Sequence, residues 1–117
     1  SAQYGERTRA GEFKNKKNRQ SRDGWFSFDM KVLKGQPMGL VVDYWGGFPG
    51  SRTFDILIDG ELLATENISD RNNGQFMDVS YEIPEEMTYD KQKITVKFLA
   101  HEGHSAGPVF GIRIIKR

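Results

Sequence analysis

The sequence predicts an all-β fold, an antiparallel β-sandwich of about seven to eight strands. Short segments alternate apolar and polar residues with a period of two, the pattern of a strand that buries one face. Turn residues separate these segments, and 13 glycines occur against only 4 prolines in the 117 residues. Many short strands divided by turns are typical of a sandwich or a closed barrel, and this density of strands favours two packed sheets.

Two segments give the clearest strands. In residues 25–33 every even position from Phe26 to Val32 is apolar, and the odd positions between them are polar. Residues 40–45 are apolar on both faces except at Asp43. A strand without a polar face is expected near the middle of a sheet.

A hairpin is predicted around Asp59 and Gly60. This pair suits the two positive φ angles of a type I′ turn, and it joins the alternating segments 53–58 and 61–65. The only helical candidate is Pro84–Thr88, where the proline fits a first helical position and about one turn is expected. Further strands are predicted at 75–83, 93–100 and 109–116.

The in-phase apolar positions of these strands give a predicted core. Burial of each such side chain contributes about 1.5 to 3 kcal/mol. The predicted core residues are Phe26, Phe28, Met30, Val42, Phe54, Ile56, Ile58, Val79, Tyr81, Val96, Phe98, Ile112 and Ile114.

The N-terminal residues differ from the rest in charge. Residues 1–24 carry a net charge of +4 and the remainder −3, and the basic run 14–22 contains no apolar residue. We predict a solvated loop there, because such a composition cannot offset its ordering entropy by burial. An edge strand or a nucleic-acid patch are the alternatives. The predicted division is therefore a basic lead over 1–24 and the sandwich over 25–117.

Composition excludes several classes of function. The chain has no cysteine, which excludes a disulfide framework, a thiolate zinc site and a cysteine nucleophile. No apolar run approaches the ~20 residues that span a bilayer, and no signal peptide begins the sequence. The first residue is Ser1, so we expect a processed or excised chain. We expect no membrane and no nucleic acid as partners.

No pair of carboxylates stands out as the acid and base of a glycosidase. Such chemistry needs one carboxyl group kept protonated by an apolar pocket, close to a second one. The candidates lie on predicted polar strand faces or at a hairpin, so a solvated sheet surface explains them better. They are Asp29, Asp43, Asp55 and Asp59.

His101 and His104 share a glycine-containing loop. The favoured interpretation is ordinary hydrogen bonding, with ligand contact as the next alternative. A metal site is the weakest, because a third ligand is lacking. We therefore predict no catalytic residue, no metal and no cofactor.

A carbohydrate site is the best binding hypothesis. Sugars stack their C–H faces on aromatic rings and accept hydrogen bonds from forked or ring donors. Trp45 and Phe48 flank a glycine-rich loop that Arg52 follows, while His101 and His104 lie in another loop. If both loops lie at one end of the sandwich, these residues form the candidate site. The alternative is that Trp45 packs under its loop and Arg52 pairs with an acid.

Several segments carry a family resemblance. They are Gly24–Val32, Tyr44–Gly46, Arg52–Gly60, Phe76–Val79, Tyr81–Pro84, Ala100–His101, Ala106–Gly107 and Phe110–Gly111. In this order they resemble the C-terminal β-sandwich of bacterial β-L-arabinofuranosidase-type glycoside hydrolases, over about residues 24 to 117. The resemblance implies a jelly-roll or galactose-binding-like arrangement of the strands.

The resemblance also implies a context. In that family an upstream α-barrel hydrolyses the substrate with a cysteine nucleophile held at a zinc site, and the β-sandwich is an accessory module. This chain has no cysteine, so that activity does not transfer to it. It also has Asn18 before Arg19, where the family commonly has a tryptophan before the arginine.

The expected function is therefore that of a non-catalytic accessory domain, not an enzyme by itself. Its expected partner is the catalytic barrel of the same polypeptide, which it would pack against and support. The alternative is a carbohydrate-binding module for arabinose-containing plant polysaccharide. By the resemblance, the full-length parent would be bacterial and secreted, in the periplasm or outside the cell. An independent enzyme or a nucleic-acid binder is the remaining alternative.

Overall fold

A computed structural model describes residues 3–71 and 74–117 of the chain. Within them lie eight antiparallel strands and one 3-10 turn at Glu85–Met87. The strands are β1 (Gln3–Phe13), β2 (Lys16–Lys31), β3 (Met38–Trp45), β4 (Thr53–Ile58), β5 (Glu61–Asn67), β6 (Phe76–Ile83), β7 (Lys93–Ala100) and β8 (Ser105–Lys116). The predicted all-β class, the number of strands and the single helical turn are confirmed.

The long strand β2 belongs to both layers of the sandwich. Its residues 25–31 pair with β7, which continues through β4 to β5. Residues 19–22 pair instead with β8, which continues through β3 to β6. The β1 strand follows β2 along its other edge. The two sheets are therefore joined by one bent strand, and their inner faces enclose the core.

The bend in β2 depends on Gly24. A Cβ atom at this position would lie 2.3 Å from the Glu6 carbonyl oxygen and 2.6 Å from Ser21 Oγ. The neighbouring Asp23 and the facing Arg7 both have positive φ angles, 59° and 51°. Here the β1–β2 register shifts, as at a β-bulge, and such bulges bend strands and increase their twist.

The loop interpretation of the basic segment 14–22 is wrong. Only Lys14 and Asn15 form a turn, with φ angles of 51° and 66°, and β2 continues from Lys16 through the predicted boundary at residue 24. The composition led to a wrong prediction because the segment does not need apolar residues of its own to form a strand. Its backbone groups bond to β1 and partly to β8, and these two strands supply the order.

The core agrees with the predicted one and extends it. Of the predicted residues, Phe26, Val42, Phe54, Ile56, Ile58, Val96 and Phe98 are fully buried. The others are half-buried and pack against this cluster; they are Phe28, Met30, Val79, Tyr81, Ile112 and Ile114. The prediction missed Leu40, Tyr44, Ile68, Ile83, Ile94, Ala106 and Val109, among others. Leu40 and Tyr44 share the inner face of β3 with the predicted Val42, so the same alternation would have included them.

A polar network that runs from the buried Tyr44 to the exposed Arg71 links β3, β5 and β6. The Tyr44 and Tyr81 hydroxyls lie 2.9 Å apart, and Tyr81 donates to Glu66 at 2.7 Å. Arg71 completes the chain with a 2.6 Å contact to the same carboxylate. Burial raises the pKa of both tyrosines, so they stay neutral. Because the partners satisfy one another, the network adds a directed contact between the two sheets.

Strand direction gives the sandwich two distinct ends. One end contains the start of β2 and β8 and the finish of β3. The opposite end contains the finish of β2 and β8 and the start of β3 and β7. No helix in the described residues is long and apolar enough to cross a membrane.

Candidate functional site

Five aromatic rings form a cluster on the outer face of the β3–β8 sheet. In β3 the alternation turns Tyr44 into the core and Trp45 outward. The β1–β2 hairpin brings Phe13 over Trp45, with ring centres 5.0 Å apart. We call this set the outer aromatic cluster; it consists of Phe13, Trp45, Phe48, Phe76 and Phe110.

Trp45 supports this cluster from below. It is 9% exposed, and the rings of Phe13 and Phe76 contact it at 5.0 and 4.8 Å. The hairpin is held over it by Lys16, whose Nζ lies 4.2 Å from the Phe76 ring centre and 2.8 Å from Asp43 Oδ2. The sequence placed Trp45 at a binding surface as a stacking platform. In the structure its ring is covered, and Phe13 and Phe48 are the half-exposed rings above it.

A groove of about 380 Å³ runs between the hairpin and the loop after β3. Residues two apart on a strand share a face, so the hairpin face that packs on Trp45 through Phe13 presents alternate side chains of β1 and β2 to it. We call it the hairpin groove. Its principal lining residues are Arg9, Phe13, Asn18, Gln20, Phe48 and Arg52.

Arg52 is fixed at the side of this groove. Its Nε donates to the Pro49 carbonyl at 3.1 Å, and Nη1 donates to the Gly107 carbonyl at 3.2 Å. The guanidinium carbon lies 5.0 Å from the centre of the Phe48 ring. Burial, and then the nearby charge of Arg22, lower the pKa of Arg52. The predicted pairing with an acid is replaced by carbonyl contacts, and the guanidinium retains further N–H groups.

Asn18 is the least satisfied group in the groove. It is 9% exposed, and its Oδ1 has no hydrogen-bond partner among the described residues. Its cross-strand partner is Gly11, where a Cβ atom would lie 3.1 Å from that oxygen. A buried acceptor without a donor costs about 1–3 kcal/mol. A hydroxyl or water that donates to Oδ1 would recover this free energy.

A second cavity of about 390 Å³ lies on the other side of Asn18, between the two sheets. Its walls combine apolar side chains, among them Phe28 and Met30 from β2 and Ile112 from β8, with the polar side chains of Lys17, Asn18 and Arg19. The three apolar side chains belong to the edge of the core. Asn18 lines both this cavity and the groove.

His101 is occupied outside the groove. Its Nε2 lies 2.8 Å from Asp55 Oδ1, which also accepts from the Thr65 hydroxyl at 2.7 Å. Burial alone would raise the pKa of Asp55. The hydrogen bonds from Thr65 and His101, together with the charge of His101, outweigh burial and hold the pKa of Asp55 below its ordinary value.

His104 joins the two loops that the sequence placed together. Its Nδ1 accepts from the Thr53 backbone N–H at 3.1 Å, and Ser105 N–H donates to the Ser51 carbonyl at 2.9 Å. The loops thus meet at one end of the sandwich. Neither histidine lines the hairpin groove, whereas Phe48 and Arg52 do. In residues 3–71 and 74–117 no group of three His, Asp or Glu side chains is placed to hold a metal ion.

The sequence reasoning missed the hairpin side of the groove. Phe13, Asn18 and Gln20 all fall in the segment interpreted as a basic lead. The one available signal was Asn15, a residue type that tolerates positive φ, between two segments long enough to pair.

Comparison with known proteins gives the family. A model described as "Family of unknown function (DUF6805)" matches residues 2–115. The chain belongs to DUF6805. No curated protein is similar in sequence to this DUF6805 chain.

Solved structures share the fold of the DUF6805 chain at low identity. A native family 35 carbohydrate binding module from Clostridium thermocellum matches with a TM-score of 0.70 at 7% identity, over 98% of this chain and 92% of that one. An exo-β-1,3-galactanase from Phanerochaete chrysosporium gives 0.71 at 9% identity, over 97% of this chain. A family GH115 4-O-methyl-α-glucuronidase with specificity for decorated arabinogalactans gives 0.55 at 13% identity, over 99%.

The DUF6805 chain is short relative to these enzymes. It spans 27% of the galactanase and 17% of the glucuronidase, and 66% of another family 35 module, from an environmental isolate. Its structural neighbours are thus carbohydrate-binding modules and domains of glycoside hydrolases. At these identities the likeness shows a shared fold.

Proposed function

We propose that this DUF6805 domain is a non-catalytic carbohydrate-binding domain that serves a glycoside hydrolase and holds its ligand in the hairpin groove. The observation that carries the proposal is the buried Oδ1 of Asn18, which has no hydrogen-bond partner among the described residues and belongs to a groove that also contains aromatic rings and a fixed arginine. A sugar hydroxyl is the donor that such an acceptor lacks.

The groove offers complementary contacts to one sugar ring. Phe48 is half-exposed and presents a face for C–H stacking, a contact worth about 1 kcal/mol. Arg52 can donate from its unused N–H groups, and the Gln20 amide can donate or accept. One small site leaves little surplus after the costs of association. We therefore expect dissociation constants near the millimolar range.

The finer identity of ligand and parent follows the family resemblance. We propose an arabinose-containing plant polysaccharide as the ligand, and a secreted bacterial β-L-arabinofuranosidase-type enzyme, periplasmic or extracellular, as the parent. The fold shared with a domain-sized part of a glucuronidase specific for decorated arabinogalactans supports a role beside such substrates. The chain itself offers no cysteine nucleophile, so hydrolysis belongs to another domain.

Titration of the isotope-labelled domain with arabinose, galactose, xylose and glucuronate oligosaccharides tests the proposal. We expect amide shifts at Gly11, Asn18, Gln20 and Phe48 with at least one arabinose-containing ligand. Phe48→Ala should weaken binding about fivefold, equivalent to the ~1 kcal/mol of a stacking contact.

Trp25→Ala is the matched control for that variant. Trp25 is also a half-buried ring under a cation, with Lys97 Nζ 4.4 Å from its centre, but it lies on the outer face of the other sheet. Its removal should leave sugar affinity unchanged. The groove proposal fails if the shifts map to the Trp25 face, or if no sugar in the panel shifts any amide at tens of millimolar.

A structural role beside the catalytic barrel is the second candidate. The observation that favours it lies at the opposite end of the sandwich, where the exposed side chain of Leu33 is surrounded by lysines. This end has no buried unpartnered polar side chain among the described residues, so it lacks the feature that marks the groove.

A further inference from the structure

We infer that the end opposite the groove is a docking surface for a polypeptide segment in which an aliphatic side chain is flanked by carboxylates. The inference deepens the accessory role proposed above and rests on it only in placing this segment on the catalytic domain of the same polypeptide. The surface, here called the lysine end, consists of Lys31, Leu33, Lys34, Lys93 and Lys116 with the apolar side chains between them.

Two lysines at this end oppose each other without compensation. Lys31 of β2 is the direct cross-strand partner of Lys93 of β7. Like charges in this position destabilise a sheet. Neither ammonium group has an acidic partner in the described part of the chain, although Lys91 nearby pairs with Asp59 at 2.7 Å. The Lys31–Lys93 pair does not stabilise the fold, so we expect its counter-charge to be a carboxylate of a partner molecule.

The positive charge extends around the end. Lys116 at the finish of β8 also lacks an ion pair among the described residues, and Lys34 has only the exposed Asp90 at 3.1 Å. Arg117 is held there by a 2.9 Å hydrogen bond from its backbone N–H to the Pro37 carbonyl. Carboxylates lie at this end as well: Asp90 pairs with Lys34, and Glu82 and Glu85 lie where β6 finishes beside the start of β3. The lysines of this end without an ion pair among the described residues are Lys31, Lys93 and Lys116, so a negatively charged partner is attracted to these three side chains.

The space between these lysines is apolar. Leu33 is 52% exposed and forms a ridge between two concavities of about 130 and 620 Å³. The smaller one is walled by Val32, Met38 and Ile114, which continue the core to the surface. An aliphatic anchor fits this pocket, while carboxylates on either side reach the lysines. Exposure of the Leu33 side chain to water does not stabilise the fold.

This combination favours a polypeptide over the other polyanions. A polyuronate supplies carboxylates but no aliphatic side chain for the pocket beside Leu33. A membrane surface binds a broad apolar face, whereas the large exposed apolar side chains at this end are, among the described residues, only Leu33 and Tyr89, which adjoins the Lys34 partner Asp90. An acidic segment with an aliphatic residue satisfies both the charge and the pocket.

The test is a titration of the labelled domain with the capped peptide Glu-Glu-Leu-Glu-Glu. We expect amide shifts at Lys31, Leu33 and Lys93, with weak binding that falls as salt is raised. Replacement of the peptide's leucine by serine should reduce affinity at least fivefold. Trigalacturonate and anionic vesicles are the competing probes. Equal or stronger binding of either one would overturn the assignment to a polypeptide.

Variants of the domain separate the two components of the surface. Lys31→Ser with Lys93→Ser should reduce the salt dependence without destabilising the fold, since it removes a like-charge pair and leaves Lys34 and Lys116 in place. Leu33→Ser should remove peptide binding, whereas Leu62→Ser should not, although Leu62 is equally exposed at 55%. Unchanged binding by Leu33→Ser would refute the docking surface. Sugar shifts at Asn18 are read in the same samples, so failure of one site is distinguished from failure of the other.

Discussion

The two ends of the sandwich are built from the same strands but have different surfaces. At the groove end, β2 begins and β3 finishes among aromatic rings, a fixed arginine and a buried amide oxygen without a donor. At the lysine end, β2 finishes and β3 begins among aliphatic side chains and exposed ammonium groups. Directed hydrogen bonds at the first suit a small hydroxylated ligand. A diffuse field around an apolar pocket at the second suits a macromolecule.

Under the two proposals above, one fold serves two partners without competition. The β2 strand is 16 residues long and reaches both ends, and its bend at Gly24 separates them. Both ends depend on the same core for their stability, whereas the residues proposed to bind each partner lie at one end only. Changes in the core should therefore affect both ends, changes at the bend chiefly the groove, and surface changes one end alone.

A core variant is expected to have the largest effect, because loss of the core destabilises both ends of the sandwich. Phe54→Ala should destabilise the domain by roughly 3 to 5 kcal/mol, because Phe54 is fully buried and contacts the rings of Tyr44 and Phe98. Urea unfolding followed by tryptophan fluorescence measures the loss. Phe48→Ala, at the groove, should cost less than about 1 kcal/mol. Similar losses of unfolding free energy for the two variants would mean that the core ring of Phe54 and the outer aromatic cluster do not differ in their contribution to stability.

The bend offers a way to damage the groove end selectively. Gly24→Ala should cost about 1–3 kcal/mol or more, since the new methyl group would meet the Glu6 carbonyl at 2.3 Å. Gly111→Ala is the matched control, because a Cβ atom there meets nothing within 4 Å and the backbone has no positive φ.

The measurement for this pair is thermal unfolding combined with amide spectra. Gly24→Ala should move resonances of residues 5–24 and leave those of the lysine end in place. Gly111→Ala should be neutral or slightly stabilising. Destabilisation by Gly111→Ala as large as that by Gly24→Ala would contradict the role given to the bend.

A smaller effect concerns Asp55 and pH. The folded state holds the pKa of Asp55 below its ordinary value of 3.8, so the unfolded state binds the proton first as pH falls. The stability that this carboxylate contributes is fully present above that value and is lost as pH falls through the lower folded-state pKa. Asp55→Asn should cost under about 1 kcal/mol near pH 5, as its contacts are partly exposed.

The measurement is the difference in unfolding free energy between wild type and Asp55→Asn as a function of pH. It should shrink as pH falls below 3.8 and through the lower folded-state pKa of Asp55. Asp29→Asn serves as the comparison, because Asp29 also accepts a hydroxyl hydrogen bond, from Thr95 at 2.8 Å, but has no histidine partner. A difference for Asp55→Asn that grows at low pH would contradict the assigned sign.

The sequence predicted the strands of residues 25–117 well because most of them bury one face, and a period of two records that directly. The β3 strand, covered on both faces, was recognised from its nearly continuous apolar run. The turn at Asp59 and Gly60 was equally legible, with observed φ angles of 48° and 84°. The β1–β2 hairpin was not, since its order comes from pairing with other strands rather than from its own apolar residues.

The same limit applied to the groove. Phe48 and Arg52 were found because they sit beside glycines at the end of a strand. Asn18 could not be found, because a polar residue in a basic run gives no sign of being buried. Its significance arises only when Gly11 and the loop after β3 close around it. The sequence likewise does not indicate that the Phe13 ring covers Trp45, because that contact exists only once the β1–β2 hairpin lies over β3.

The most direct test of the groove is Asn18→Leu. Leucine is similar in size to asparagine and carries no acceptor, so it removes the buried unpartnered oxygen without leaving a cavity. We predict that the free energy of unfolding stays the same or rises by up to about 1–3 kcal/mol, while the sugar shifts at Gly11 and Phe48 disappear. Sugar binding at wild-type affinity by a stable Asn18→Leu protein would contradict the account.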